Sequence, residues 1–322
     1  MKTLIKILKW TFIVLLLILG VLVVAVYARQ GKTYDAPYPE IAAVQDSSVL
    51  ARGEYLIYGP AHCSGCHSPL EFQERIAKGE RLPLEGGFKF PLPFGDLYTP
   101  NITPDPTGIG NMTDKDIARA LRYGVGFDGR PLIDFMPFHN VSDEDLTAII
   151  SYLRTMQPVK KEVPKPEWNF MGKAVYAFAI EPVGPEGDVV KSIVPDTTAV
   201  YGEYLANYVA NCRGCHTNRD LKTGAYIGEF YAGGFAMPSA MDVTKGIVTR
   251  NLTPDPETGS IYGWNFQRFK ERMTLGRVVE LSEMPWDQYK AMSEQDLKAI
   301  FAYLQTLKPV KNDPGPVLID MP

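Results

Sequence analysis

A chain of 322 residues suggests about two domains, and 45% hydrophobic with 22% charged residues is an ordinary globular balance. Its 26 prolines and 28 glycines point to loops and short helices rather than long regular elements. The net charge of −4 is mild, and no basic stripe, P-loop, zincin motif or Ser-His-Asp set is present, so nucleic acid is excluded as a partner and those enzyme chemistries fall away.

Lys2, Lys6 and Lys9 precede an uncharged, almost wholly apolar run from Trp10 to Tyr27, and Arg29 follows it. At 1.5 Å per residue a helix over this run spans about 27 Å, close to the thickness of a bilayer core. A secretory signal peptide has the same layout. The run is longer than a usual signal core, and Val26-Tyr27-Ala28 matches a cleavage site only in part. Residues 1–30 are therefore read as an uncleaved membrane anchor, with a signal peptide as the alternative. In both cases the chain after residue 30 is expected outside the cytoplasm, with the lysines of the anchor inside.

A short helix carrying Gly53-Glu54-Tyr55-Leu56 runs into Cys63-Ser64-Gly65-Cys66-His67, and Gly202-Glu203-Tyr204-Leu205 runs into Cys212-Arg213-Gly214-Cys215-His216. C-x-x-C-H is the attachment signature of c-type haem. Two thiols reach the two vinyl groups of one porphyrin, and the residue after them puts an imidazole nitrogen on the iron. All four cysteines are consumed in this way, which leaves none for disulfides or an iron–sulfur cluster. A zinc site or a redox-active C-x-x-C does not call for the trailing histidine twice.

The two motifs belong to a longer duplication. They and the Gly-Glu-Tyr-Leu segments recur at an offset of 149, Asn101-Ile102-Thr103-Pro104-Asp105-Pro106 recurs at 150 as Asn251-Leu252-Thr253-Pro254-Asp255-Pro256, and the closing segments recur at 151. The closing segments carry one apolar helical face (Leu146, Ile149, Ile150, Leu153, and Leu297, Ile300, Phe301, Leu304). Ser142 with Asp145, and Ser293 with Asp296, predict capping boxes at their starts, and Pro158 and Pro309 stop them. Further helices are predicted over Asp114–Tyr123 and Trp264–Leu275, with only minor strand content. The duplicated units cover residues 47–160 and 198–312. Between them lies a proline-rich strap, 161–197, whose aromatic patch (Trp168, Phe170, Tyr176, Phe178) is too apolar for a free linker.

His67 and His216 supply one axial position each. Only two other histidines exist, His62 and His139, both in the first unit, so the second unit cannot build a His/His iron by itself. Methionine is the alternative. Met136-Pro137-Phe138 and Met284-Pro285-Trp286 lie at matched distances after the motifs, each in a turn ahead of a closing helix, and these two are the expected sixth ligands. His139 has Asp287 as its repeat equivalent and is expected at the surface or behind a ligand. Met292 has no counterpart in the first unit, and His62 is expected to be solvated. Gly124-Val125-Gly126-Phe127-Asp128-Gly129 follows a helix rather than a strand and reads as a flexible connection, not a dinucleotide site. The Asn-x-Thr-Pro-Asp-Pro loops are either rigid Asx turns or donors to haem propionates.

On the two C-x-x-C-H motifs, the Met-Pro turns, the closing helices and the N-[IL]-T-P-D loops, the chain resembles the bacterial multi-haem cytochromes c. It is most similar to the membrane-bound cytochrome subunits of periplasmic alcohol and sugar dehydrogenases, across nearly all of residues 47–312. Those subunits typically carry three haems and this chain has motifs for two, which leaves its electron donor open. The expected fold is mainly α: two tandem class I cytochrome c-like domains plus an N-terminal transmembrane helix. The resemblance implies two covalent haems c, held by Cys63, Cys66, His67 and Met136, and by Cys212, Cys215, His216 and Met284. It implies an electron-transfer protein rather than an enzyme, anchored in the bacterial inner membrane with its haem domains in the periplasm. Its expected partners are a dehydrogenase subunit or quinol-oxidising complex on one side and a terminal oxidase or reductase on the other. A dihaem enzyme of the peroxidase or thiosulfate-oxidising type is the alternative, and it requires an open site on one iron.

Overall fold

Helix α1 (Lys2–Arg29) stands apart from the rest of the chain. Most of its apolar side chains from Leu4 to Val24 are exposed, and Val26 alone, in the last turn, is buried. The helix is long and apolar enough to cross a membrane, with a mean hydropathy of 2.9 over its best window. This architecture comes from a computed structural model that describes residues 2–92, 94–220, 224–239 and 241–321.

The remaining helices are short, and they repeat. The first half contains α2 (Ser47–Tyr58), α3 (Cys63–His67), α4 (Gln73–Ala77), α5 (Asp114–Tyr123) and α6 (Asp143–Thr155). After α7 (Phe170–Phe178), the second half contains α8 (Ala199–Tyr204), α9 (Cys212–Cys215), α10 (Phe266–Leu275), α11 (Trp286–Tyr289) and α12 (Glu294–Thr306). Helix α10 begins two residues later than its sequence suggests, because Asn265 turns its side chain onto the Arg268 amide and caps it there. The strands are short. β1 (Lys89–Leu92), β2 (Gly95–Tyr98) and β3 (Glu167–Trp168) form one antiparallel sheet, and β4 (Ala236–Pro238), β5 (Lys245–Val248) and β6 (Leu318–Asp320) form another. In each sheet the third strand comes from the segment after the closing helix, so the duplication extends past the landmarks visible in the sequence.

In each half the helix ahead of the cysteine motif packs on the closing helix, α2 on α6 and α8 on α12. The glycine of the repeated Gly-Glu-Tyr-Leu segment makes this crossing close. A Cβ on Gly53 would lie 2.0 Å from the Ala148 carbonyl oxygen, and one on Gly202 would lie 1.9 Å from that of Ala299. Leu56, Ile57, Leu146 and Ile150 of one pair join Leu205, Ala206, Leu297 and Ile300 of the other in one contiguous buried cluster.

The halves meet about a pseudo-two-fold axis. The Tyr55 hydroxyl donates to Asp296 at 2.6 Å and accepts the Ser293 amide at 3.0 Å. The equivalent Tyr204 donates to Asp145 at 2.8 Å and accepts the Ser142 amide at 3.1 Å. Arg52 donates to Tyr201, its own repeat equivalent, which places this pair at the axis. The sequence-predicted capping boxes are thus half formed. Ser142 and Ser293 cap the Asp145 and Asp296 amides, while the reciprocal contact is made by a tyrosine of the opposite half.

The segment between the halves touches both. Asn140 exchanges two hydrogen bonds with the Glu186 backbone, and Glu186 pairs with Arg213 inside the second cysteine motif. The Gly124–Gly129 stretch is an ordered turn rather than a flexible connection: the Gly126 amide donates to the Arg130 carbonyl, and the Gly129 amide to the Gly126 carbonyl.

Candidate haem-attachment sites

Both cysteine motifs are entered in the same strained way. The Ala61 amide donates to the Leu56 carbonyl, and the Ala210 amide to that of Leu205, closing a wide five-residue turn at the end of each leading helix. His62 and Asn211 then take left-handed backbone conformations, with φ of 43° and 52°. Among the described residues only one other non-glycine residue, Tyr231, does so. The turn into α3 and α9 sets the two cysteines and the histidine at i, i+3 and i+4, on one side of a single helical turn.

His67 is buried, His216 is half-buried, and both imidazoles are oriented. His67 Nδ1 lies 3.0 Å from the Pro100 carbonyl oxygen, and His216 Nδ1 lies 2.8 Å from that of Arg250. A carbonyl can only accept, so Nδ1 carries the proton in both rings and Nε2 presents its lone pair. Burial pushes both imidazoles below the usual histidine range, against the opposing pull of these hydrogen bonds, and keeps the rings neutral. A neutral imidazole with a bonded Nδ1–H is the form that binds a metal through Nε2.

The acceptor carbonyls explain the duplicated loops. Pro100 and Arg250 immediately precede Asn101 and Asn251. The Asn101 amide nitrogen donates to Val159 and Thr107, and its oxygen accepts the Thr103 amide and hydroxyl. Asn251 repeats this with Val310, Thr258 and Thr253. Their donors are spent on the loop and on the chain that follows the closing helix, which favours the rigid-turn reading over the propionate one. Each loop is a rest for the histidine. Sequence comparison of the halves marks the loop but gives no sign of the carbonyl in front of it.

All four cysteines are free. Burial pushes the Cys63 and Cys212 thiols up to about 12 and Cys66 to about 11, and it raises Cys215 against the nearby charge of Arg219. A redox-active C-x-x-C needs the opposite, a depressed thiol pKa. Among the described residues no three or more His, Cys, Asp or Glu side chains converge as a metal cage.

Met136 and Met284 are half-buried and packed against the common core. Each sits at the start of the same tight turn, where the Phe138 amide donates to the Met136 carbonyl at 2.8 Å and the Trp286 amide to that of Met284 at 2.7 Å. Pro285, at φ −75° and ψ 61°, has the geometry of an inverse γ-turn. His139 is not at the surface. It is buried, with Nδ1 bonded to the Arg122 carbonyl at 3.1 Å and Nε2 to Asp134 at 3.0 Å. His62 is not solvated either, because its ring meets Tyr289 edge-on at 5.7 Å and bonds the Pro60 carbonyl. Met292 is buried core.

The second half packs on the first motif. Beyond burial, the charges of Glu283 and Cys215 raise the Cys66 thiol, and Glu283 also acts on Cys215. Helix α11, just after Met284, packs on α3, with Gln288 bonded to Gln73 and within 3.6 Å of a Cβ placed on Gly65. Gln73 in turn donates to the Ser64, Gly65 and Ser68 carbonyls and holds the first motif in shape. Buried Nε–H groups on Arg119 and Arg122 in one half, and on Arg213 and Arg219 in the other, have no hydrogen-bond partner among the described residues. Two thiols three residues apart, with an oriented neutral imidazole next to the second, are the residue set that a covalently attached haem requires.

No family model matches the chain. It is similar to the cytochrome c subunit of the quinone-dependent alcohol dehydrogenase of Gluconobacter oxydans, at 29% identity over 82% of this chain and 56% of that protein. It is similar to the fructose dehydrogenase cytochrome subunit of Gluconobacter japonicus, at 28% identity over 83% of this chain and 54% of that protein. A dihaem c-type cytochrome of Cereibacter sphaeroides is 29% identical over 53% of this chain and 57% of its own length. The chain thus spans little more than half the length of the curated relatives it matches. Relatives of this kind support covalently bound haem c and electron transfer.

Proposed function

We propose that this chain is a membrane-anchored dihaem cytochrome c that relays single electrons as the non-catalytic partner of a dehydrogenase. The observation that carries this reading is the pair of equivalently built C-x-x-C-H turns, each with a neutral histidine held by a loop carbonyl. Haem bound there supplies a one-electron iron couple. Cys63 and Cys66, and Cys212 and Cys215, hold it covalently. His67 and His216 would offer Nε2 to its iron, and Met136 and Met284 would offer a thioether sulfur, which favours the reduced state. Residues 47–160 and 198–312 are the two class I cytochrome c-like units, joined by the 161–197 strap. The donor is a dehydrogenase subunit or quinol-linked complex, the acceptor a terminal oxidase or reductase. Helix α1 keeps the protein at the inner membrane with both units in the periplasm.

The test is a count and a ligand challenge. The purified protein should yield two covalent haems per chain, both low-spin, and the ferrous form should bind carbon monoxide poorly. One covalent haem, or fast stoichiometric carbon monoxide binding at one site, overturns the relay and favours a haem enzyme.

A further inference from the structure

Helix α7 carries apolar side chains that the relay does not use. Its nine residues, Phe170-Met171-Gly172-Lys173-Ala174-Val175-Tyr176-Ala177-Phe178, hold one charge. Phe170, Met171 and Phe178 are 49%, 63% and 54% exposed. Met171 and Phe178, seven residues apart, share one face of the helix with Val175 between them. The opposite side is fixed to the protein: Gly172 and Ala177 are buried, and Asn169 caps the Gly172 amide.

What lies beside α7 decides what covers that face. Helix α7 packs on the last turn of α1, where Val26 is buried. The rings of Phe170 and Tyr27 are 6.5 Å apart, and the Lys173 ammonium sits 5.1 Å from the centre of the Tyr27 ring. Arg29 donates to the Ala177 carbonyl at 3.4 Å and lies over Phe178 at 5.4 Å. These contacts begin where the apolar run of α1 ends. A bilayer that holds Trp10 to Tyr27 in its core has its headgroups at the level of Tyr27 and Arg29, and therefore at the level of α7. An apolar stripe flanked by cations at that depth suits the acyl–headgroup boundary, with the cations snorkelling to phosphates.

We propose that α7 is an interfacial lipid-binding helix. Phe170, Met171 and Phe178 enter the acyl boundary, while Lys173 and Arg29 meet headgroup phosphates. The proposal rests on the membrane-anchor part of the function above and adds a second seat to it. Because β3, just before α7, pairs Trp168 with Gly95 of β2, this seat holds the first half against the bilayer surface.

The test uses the full-length protein with its haems attached, in phosphatidylcholine–phosphatidylglycerol nanodiscs. One nitroxide is placed by Met171→Cys and, as a control, by Lys311→Cys, an exposed site in the second half. The label at 171 should favour collision with oxygen over a water-soluble nickel complex severalfold more than the label at 311. Equal accessibility at the two positions overturns the proposal, and so does exclusion of both reagents at 171, which signals a protein partner or a second copy. If the chain does not float with the lipid at all, the anchor reading itself has failed. If it floats and residue 171 is in water, only the α7 assignment has.

Discussion

Tyr55 and Asp296 are 241 residues apart in sequence and 2.6 Å apart in space. The phenol donates to the carboxylate and at the same time accepts the amide of Ser293, so a helix of the first half finishes the N-terminus of a helix in the second. Tyr204 returns the contact to Asp145 and Ser142. The two contacts are not equally supported. Asp145 also takes a bidentate pair from Arg52, whereas Tyr55 is the one side-chain donor to Asp296 among the described residues.

Tyr55→Phe should therefore destabilise more than Tyr204→Phe. A buried hydrogen bond to a charged group contributes about 1.5–3 kcal/mol, and the Tyr55 variant leaves a buried carboxylate without a donor. Thermal denaturation of the two single variants measures the difference. Equal losses would mean that Arg52 does nothing for Asp145.

The same tyrosines set an alkaline limit. Burial, followed by the Asp296 and Asp145 charges, pushes Tyr55 and Tyr204 well above the usual tyrosine value of about 10. The folded state then holds phenolic protons that the unfolded chain releases. Stability from this source is complete below about pH 10 and falls as pH rises beyond it. Melts at pH 8 to 11 should show a loss in the parent protein that is smaller in the Tyr55→Phe/Tyr204→Phe variant.

Gly53→Ala and Gly202→Ala should each force a helix pair apart. The new methyl would fall 2.0 or 1.9 Å from a backbone carbonyl oxygen, which cannot yield as a side chain can. An overpacking cost of about 3 kcal/mol is expected, with a lower yield of haem-loaded protein. Parent-like melting temperatures would contradict so close a crossing.

Met284→Ala should open the second haem alone, and Met136→Ala the first alone, each gaining carbon monoxide binding at one site. His139, three residues past Met136, is not free to replace it, since both ring nitrogens are engaged. Adding Asp134→Ala to Met136→Ala releases Nε2. That double variant should return toward a low-spin spectrum with a lower potential, as histidine replaces a thioether. A Met136→Ala protein that is already low-spin would contradict this.

Local patterns were legible in the sequence, and contacts across the halves were not. The cysteine motifs, the helical faces around Leu146 and Leu297, and the repeat offsets rest on spacing along the chain, and the helices follow them. The capping boxes were misjudged because Ser142 and Asp145 have the right spacing, but nothing near them announces Tyr204. The burial of His139 has no sign in the sequence, because one of its partners is the Arg122 carbonyl and a carbonyl leaves no mark on composition. Helix α7 lies among prolines, and its nine residues are too few for a helical period to stand out there.

The reciprocal tyrosine contacts also bear on how the molecule comes apart. Each closing helix needs a donor from the far half, and both leading helices share one buried cluster with both closing helices. Melting one half strips the terminus of a helix in the other and exposes the apolar faces packed there. Loss should then be cooperative, in a single transition, with neither unit surviving as a stable intermediate. A defect near either cysteine motif should then be felt at both.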